Sequence, residues 1–183
     1  MQRGPGRGLE EIHVSQRIRD ARRRQAVRPY NRAVTVSAIV SALHMLALAI
    51  GLPGVFFRGR ALKGRLDAGG LQRLFAADNV WGVASGLWLV TGLLRAFGGL
   101  DKGTSFYLSS TLFWLKLTLF ATVLVLEVRP MTVLLRWRRQ RSRGEHPDTS
   151  RARALYVINH LEMILVIVIV FIASFMARGF GAR

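Results

Sequence analysis

The stretch LYVINHLEMILVIVIVFIASFM (residues 155–176) runs for 22 residues with one carboxylate and no lysine or arginine. A helix rising ~1.5 Å per residue carries such a run about 33 Å, enough to cross the ~30 Å of hydrocarbon in a bilayer. Three further blocks of the same kind lie at residues 33–57, 80–96 and 111–128, and the charges collect between them. The chain is 51% hydrophobic and carries a net charge of +17. A soluble domain this basic would hold its apolar residues in short periodic segments with one face toward water. The blocks instead predict an all-α, integral membrane four-helix bundle: four transmembrane helices with short connections and antiparallel neighbours. The contact this implies is with the lipid bilayer, as a multi-pass protein.

There is no cysteine. Disulfides, thiolate metal sites, iron–sulfur clusters and covalent c-type haem are thereby excluded, and no metal site is expected. Any redox chemistry would need a noncovalent cofactor.

Residues 1–32 hold nine arginines against three acids and too few apolar residues for a core. They read as a basic, disordered tail outside the four-span domain of residues 33–183, or as residues preceding the true start. Such a tail, with the basic loops, suits anionic lipids, each cation near an acidic surface contributing about 1 kcal/mol. A nucleic-acid partner is not expected. The first loop, residues 58–77, shows Leu71, Leu74 and Phe75 at helical spacing, the mark of a short interfacial helix. Asp78 and Asn79 then stand where an N-cap belongs. Pro53 falls near the expected end of the first span, and Glu127, Arg129 and Pro130 near the end of the third. In the third loop, residues 129–153, Trp137 among arginines suits a headgroup-level anchor.

Lysine and arginine on the two sides of the membrane tie at thirteen each. The positive-inside rule therefore leaves two orientations open, according to whether the tail is counted. Small residues at four-residue spacing, Gly82 and Gly86 in the second block and Ala47 and Gly51 in the first, offer faces for close helix packing. Association into homo- or hetero-oligomers is compatible with them.

Polar groups within the blocks carry the functional question, because a charge at mid-bilayer costs from ~2.5 kcal/mol upward. His44 lies near the centre of the first block and reads as an axial haem ligand, a proton carrier or a quinone contact, or as a neutral tie between helices. Lys116 in the third block reads as a carboxylate partner or as a snorkelling amine. Glu127 and Glu162, with Asp78, are read as further buried polar groups, and Glu162 needs a counter-charge or a proton. His44 and His160 fall at depths about 10 Å apart, which excludes a haem clamped between them.

The segments LHMLALAIGL, GLWLVTGLLRAFGG, GTSFYLSSTLFWLKLTLF and RPMTVLLRWRR, closing on MARGFG, resemble the bacterial membrane-protein family catalogued as domain of unknown function 2214. The likeness spans roughly residues 41–181 and implies four spans in a bacterial inner membrane, with no activity attached. A looser likeness of architecture is to the four-helix bacterial protoporphyrinogen oxidase, a haem-dependent membrane enzyme. It implies haem b as cofactor, with His44 and Lys116 as the counterparts of that enzyme's histidine and lysine.

No catalytic motif is present: there is no H-E-x-x-H, P-loop or nucleophile elbow. Enzymatic activity is neither implied nor excluded. Three classes remain: a membrane protein whose buried polar set (His44, Lys116, Glu162) binds a small molecule, a haem- or quinone-linked redox protein, and a small proton or ion transporter or accessory subunit.

Overall fold

The computed structural model describes residues 33–100, 104–105 and 107–181 with their side chains. Of the basic tail, residues 1–5 and the side chains of residues 6–32 lie outside the described residues. Five helices follow in order: α1 (Gly6–Lys63), α2 (Ala68–Phe97), α3 (Thr104–Ser109), α4 (Thr111–Ser142) and α5 (Ala152–Ala177), the last preceded by a 3-10 turn at Thr149–Arg151. Among the described residues, four helical segments are long and apolar enough to cross a membrane: Ala33–Lys63, Ala68–Phe97, Thr111–Ser142 and Thr149–Ala177. The expected all-α, four-helix membrane bundle is what the chain forms. α1 packs chiefly on α2 and also on α5, and α5 packs on α4.

Every spanning helix except α5 runs well past its apolar block, and this corrects several expectations. α1 continues ten residues beyond Pro53, and α4 passes through Pro130 to Ser142. A proline removes one i→i−4 hydrogen bond, and packing on either side of the gap keeps the helix going. The packing comes from a second core that lies, Leu155 apart, outside the apolar blocks. Leu62, Leu71, Leu74, Val133, Leu134, Trp137 and Leu155 form one buried cluster drawn from all four helices. Trp137 is thus an interior residue, 2% exposed, and not a headgroup anchor. Leu71 and Leu74 likewise belong to the buried face of α2 itself, which has no separate interfacial helix before it.

The N-cap of α2 is Asp67, whose carboxylate accepts from the Gly70 amide at 2.8 Å. That hydrogen bond holds the Asp67 carboxyl below its ordinary range, with Arg73 and Arg65 adding to the effect. Asp78 therefore has no capping role; it sits ten residues inside the helix.

Small residues bring α1 and α2 together, on a face other than the one the second block suggests. A Cβ on Gly54 would lie 3.0 Å from the Trp81 amide nitrogen, and one on Gly51 would lie 3.2 Å from the Ala84 Cβ. Gly82 and Gly86 meet nothing within 4 Å. The glycine pair of the second block thus stands outside the bundle, while α1 supplies the close approach.

Gly54→Leu should accordingly lower stability by about 1–3 kcal/mol through overpacking against the α2 backbone. Gly82→Ala should leave it unchanged or raise it by up to about 1 kcal/mol through helix propensity. SDS-induced unfolding followed by circular dichroism separates the two, and equal effects would contradict the packing described.

Candidate functional site

Arg58, assigned by its sequence position to a loop, lies inside α1 and is fully buried. Its side chain enters the middle of the bundle, where each of its five N–H groups meets an acceptor. Nε donates to Asn159 Oδ1 at 2.7 Å. Nη1 donates to Asp78 Oδ1 at 3.2 Å and Glu127 Oε1 at 2.7 Å. Nη2 donates to Glu127 Oε2 at 2.9 Å and Glu162 Oε2 at 2.5 Å. The Glu127 contact is bidentate, the geometry in which a guanidinium fork matches a carboxylate best.

Neighbours hold these acceptors in place. Trp81 Nε1 donates to Glu127 Oε2 at 2.9 Å, and the Arg58 guanidinium carbon lies 5.8 Å from the Trp81 ring centroid. Asn159 is oriented by its own amide, which donates to the Val55 carbonyl at 2.9 Å. Gly59 makes room for it, since a Cβ there would come within 2.7 Å of Asn159 Nδ2. Asp78 accepts a second cation, Arg138, at 2.9 Å. One network therefore ties α1, α2, α4 and α5 together.

Its depth follows from the helix rise. Glu162 stands seven residues beyond Leu155, where the apolar run of α5 begins, or about 10 Å into the hydrocarbon. Glu162 is 0% exposed, enclosed by the bundle. Isolated charges at this depth are costly, and a charged group there persists by pairing. The pairing is unequal. Three carboxylates (Asp78, Glu127, Glu162) face two guanidiniums (Arg58, Arg138), which leaves one negative charge in excess. Glu162 Oε1 is buried and has no hydrogen-bond partner.

His44 belongs elsewhere. It precedes Arg58 by fourteen residues, about 21 Å along α1, so His44 and Glu162 do not form one site. Its Nδ1 is 2.9 Å from Thr91 Oγ1, and the Thr91 hydroxyl donates to the Leu87 carbonyl at 2.6 Å. With its proton spent on Leu87, Thr91 accepts from Nδ1–H, which leaves the lone pair of a neutral imidazole on Nε2. The ring stacks on Trp88 at 5.8 Å and 28°. A Cβ on Gly92 would sit 3.3 Å from His44 Cε1, so glycine admits the imidazole. Lys116 and Arg95 are the charges close enough to act on this ring. The Lys116 amine itself lies 5.6 Å from the Phe113 ring centroid. The expected set of His44, Lys116 and Glu162 thus divides between two levels of the bundle.

Among the described residues, no group of three His, Asp or Glu is placed to hold a metal ion. Arg58, Arg138, Trp81 and Asn159 were not singled out by sequence. The one available signal was indirect: Glu127 and Glu162 in apolar blocks call for a cation, and Arg58 is the first one after the first block.

Residues 36–181 match the family model described as "Predicted membrane protein (DUF2214)", and the chain belongs to that family. No curated protein and no solved structure matches it.

Removing Arg58 leaves its carboxylates uncompensated, so Arg58→Met should destabilise the bundle by about 3–5 kcal/mol. The triple variant Arg58→Met, Glu127→Gln, Glu162→Gln should recover a substantial part of that loss. Thermal unfolding in detergent measures both, and a triple variant no better than the single one would count against the charge-pairing account.

Proposed function

We propose that this member of the family is a multi-pass protein of the bacterial inner membrane that carries an exchangeable proton on its Arg58–Glu127–Glu162 cluster, as a small proton-coupled transporter or the proton-handling subunit of one. One observation carries the reading: Glu162, fully buried, has Oε2 on Arg58 and Oε1 without a partner. In a cluster with one negative charge in excess, a proton on Oε1 neutralises the surplus without breaking an existing bond. Loss of that proton frees the carboxylate to draw more strongly on Arg58, a guanidinium that keeps its charge throughout. Proton gain and loss at this point therefore change the forces between α1, α4 and α5. Intramembrane carboxylates in pumps and transporters serve in this way.

A second reading rests on His44. The nearby charges of Lys116 and Arg95 suit an anionic group at the other level, and the His44 Nε2 lone pair, set by the Thr91 contact, suits a hydrogen-bond donor or a metal carried with that group. Haem b fits this donor set in one manner only. His44 would ligate its iron, and Lys116 and Arg95 would pair with its propionates. The group would supply redox chemistry, while the protein's own part is to hold the imidazole tautomer and offer positive charge.

Protein reconstituted into liposomes containing a pH-sensitive dye tests the first reading. Under an imposed membrane potential the wild type should move protons, and Glu162→Gln, which keeps the shape of the side chain, should abolish the flux. Wild-type vesicles no leakier than empty ones, or a variant equal to wild type, would sink the proposal. For the second reading, protein from haem-supplied cells should show a Soret band that disappears in His44→Ala; a colourless wild-type preparation excludes haem.

A further inference from the structure

Between α2 and α4, on the side of the Leu155 cluster, lies an open groove of about 580 Å³. Its walls are Gln72, Phe75 and Asn79 on α2 with Arg138, Arg141 and Ser142 on α4. We propose that this groove seats one anionic phospholipid, with the headgroup phosphate on Arg141 and Arg138 and an acyl chain along the bare glycine face of α2.

The chemistry of the lining favours an anion. It holds two guanidiniums and no carboxylate, and the Gln72 and Asn79 amides add donors. Ser142 spends its hydroxyl hydrogen on the Arg139 carbonyl at 2.8 Å, so the guanidiniums and amides do the binding. Arg138 is preorganised: Nη2 is held by Asp78 Oδ2 at 2.9 Å and the Phe75 carbonyl at 3.0 Å. Its guanidinium carbon lies 4.5 Å from the Phe75 ring centroid. A planar fork fixed in this way presents its remaining edge to a phosphate with little ordering left to do.

The level of the groove favours a lipid. Trp137 packs in one cluster with Leu155, the first residue of the apolar run of α5, so Arg138, Arg141 and Ser142 stand at or just outside the hydrocarbon boundary. This is headgroup height, where basic pockets between membrane helices bind anionic lipids.

The surface beneath the groove favours it again. Helical spacing from Asn79 leads to Gly82 and Val83, then Gly86, then Val90, down one face of α2. Gly82 and Gly86 face nothing within 4 Å, and Val83 is 75% exposed. On α4 the line from Arg138 continues through exposed Leu135, Met131 and Val128. A charged groove thus opens onto a smooth apolar track as long as an acyl chain needs, which a free phosphate would not require.

Native mass spectrometry of the full chain in mild detergent, titrated with phosphatidylglycerol or phosphatidylcholine, is the test. The wild type should retain phosphatidylglycerol preferentially. Arg141→Gln, outside the buried ion-pair network, should weaken retention about fivefold, the share of one cation near an acidic lipid. Gly86→Leu, which touches no neighbouring helix, should weaken it with unfolding unchanged. Equal retention of the two lipids, or an Arg141→Gln variant that binds like wild type, overturns the proposal. So does displacement of phosphatidylglycerol by millimolar inorganic phosphate together with indifference to Gly86→Leu, which would mark a free-anion site.

Discussion

One guanidinium in hydrocarbon organises the molecule. Arg58 has five donors and the bundle provides five acceptors, from Asp78, Glu127, Asn159 and Glu162. A charge about 10 Å inside the apolar layer is tolerated only with near-complete satisfaction, and no single helix could supply it. Three other helices must therefore come to fixed rotations and heights around α1. The hydrophobic effect does not discriminate among such arrangements within lipid, because the tails are as apolar as leucine. Hydrogen-bond geometry at Arg58 and close packing at Gly51 and Gly54 do.

The described part of the bundle is built in three storeys, the one farthest from Arg58 gathered around Ala96, Tyr107, Phe113 and Met176. The part within the hydrocarbon packs around Trp81, Trp88, Val123 and Val166. The part beyond it packs around Trp137, Leu134 and Leu74 with arginines on its outer faces. The Arg58 network sits at the junction of these two, and Arg138 reaches from the Trp137 storey to share Asp78 with Arg58. Glu162 and Arg138 are thus joined through two groups, the Arg58 guanidinium and the Asp78 carboxylate.

Much of this was legible before any coordinates. Four apolar blocks of membrane-spanning length leave little choice of fold, because bilayer thickness sets the length directly. Glu127 and Glu162 announced a site by standing where charges are costly. The helix ends were hidden because Val133, Leu134 and Trp137 form a helical stripe within an arginine-rich segment, and composition drowns such a stripe. Asp78 was misread for a local reason: an acid beside Asn79 before an apolar run is the pattern of a cap, and a long-range ion pair leaves no mark nearby. Arg58 was lost to the same locality, since its partners lie 20, 69 and about 100 residues away. His44 was read correctly as a polar group within a span, but no spacing rule could pair it with Thr91, 47 residues on.

Those separations also set a timetable for biogenesis. Arg58 emerges from the ribosome first, Asp78 soon after, Glu127 next, and Asn159 and Glu162 only with the final helix. Until α5 arrives, the nascent bundle holds its central cation with part of its coordination missing, and an unsatisfied cation in hydrocarbon favours retreat toward the interface. Two of the five acceptors of Arg58, on Asn159 and Glu162, come from α5, so the coordination of that cation is complete only once the first and last of these spans are in contact.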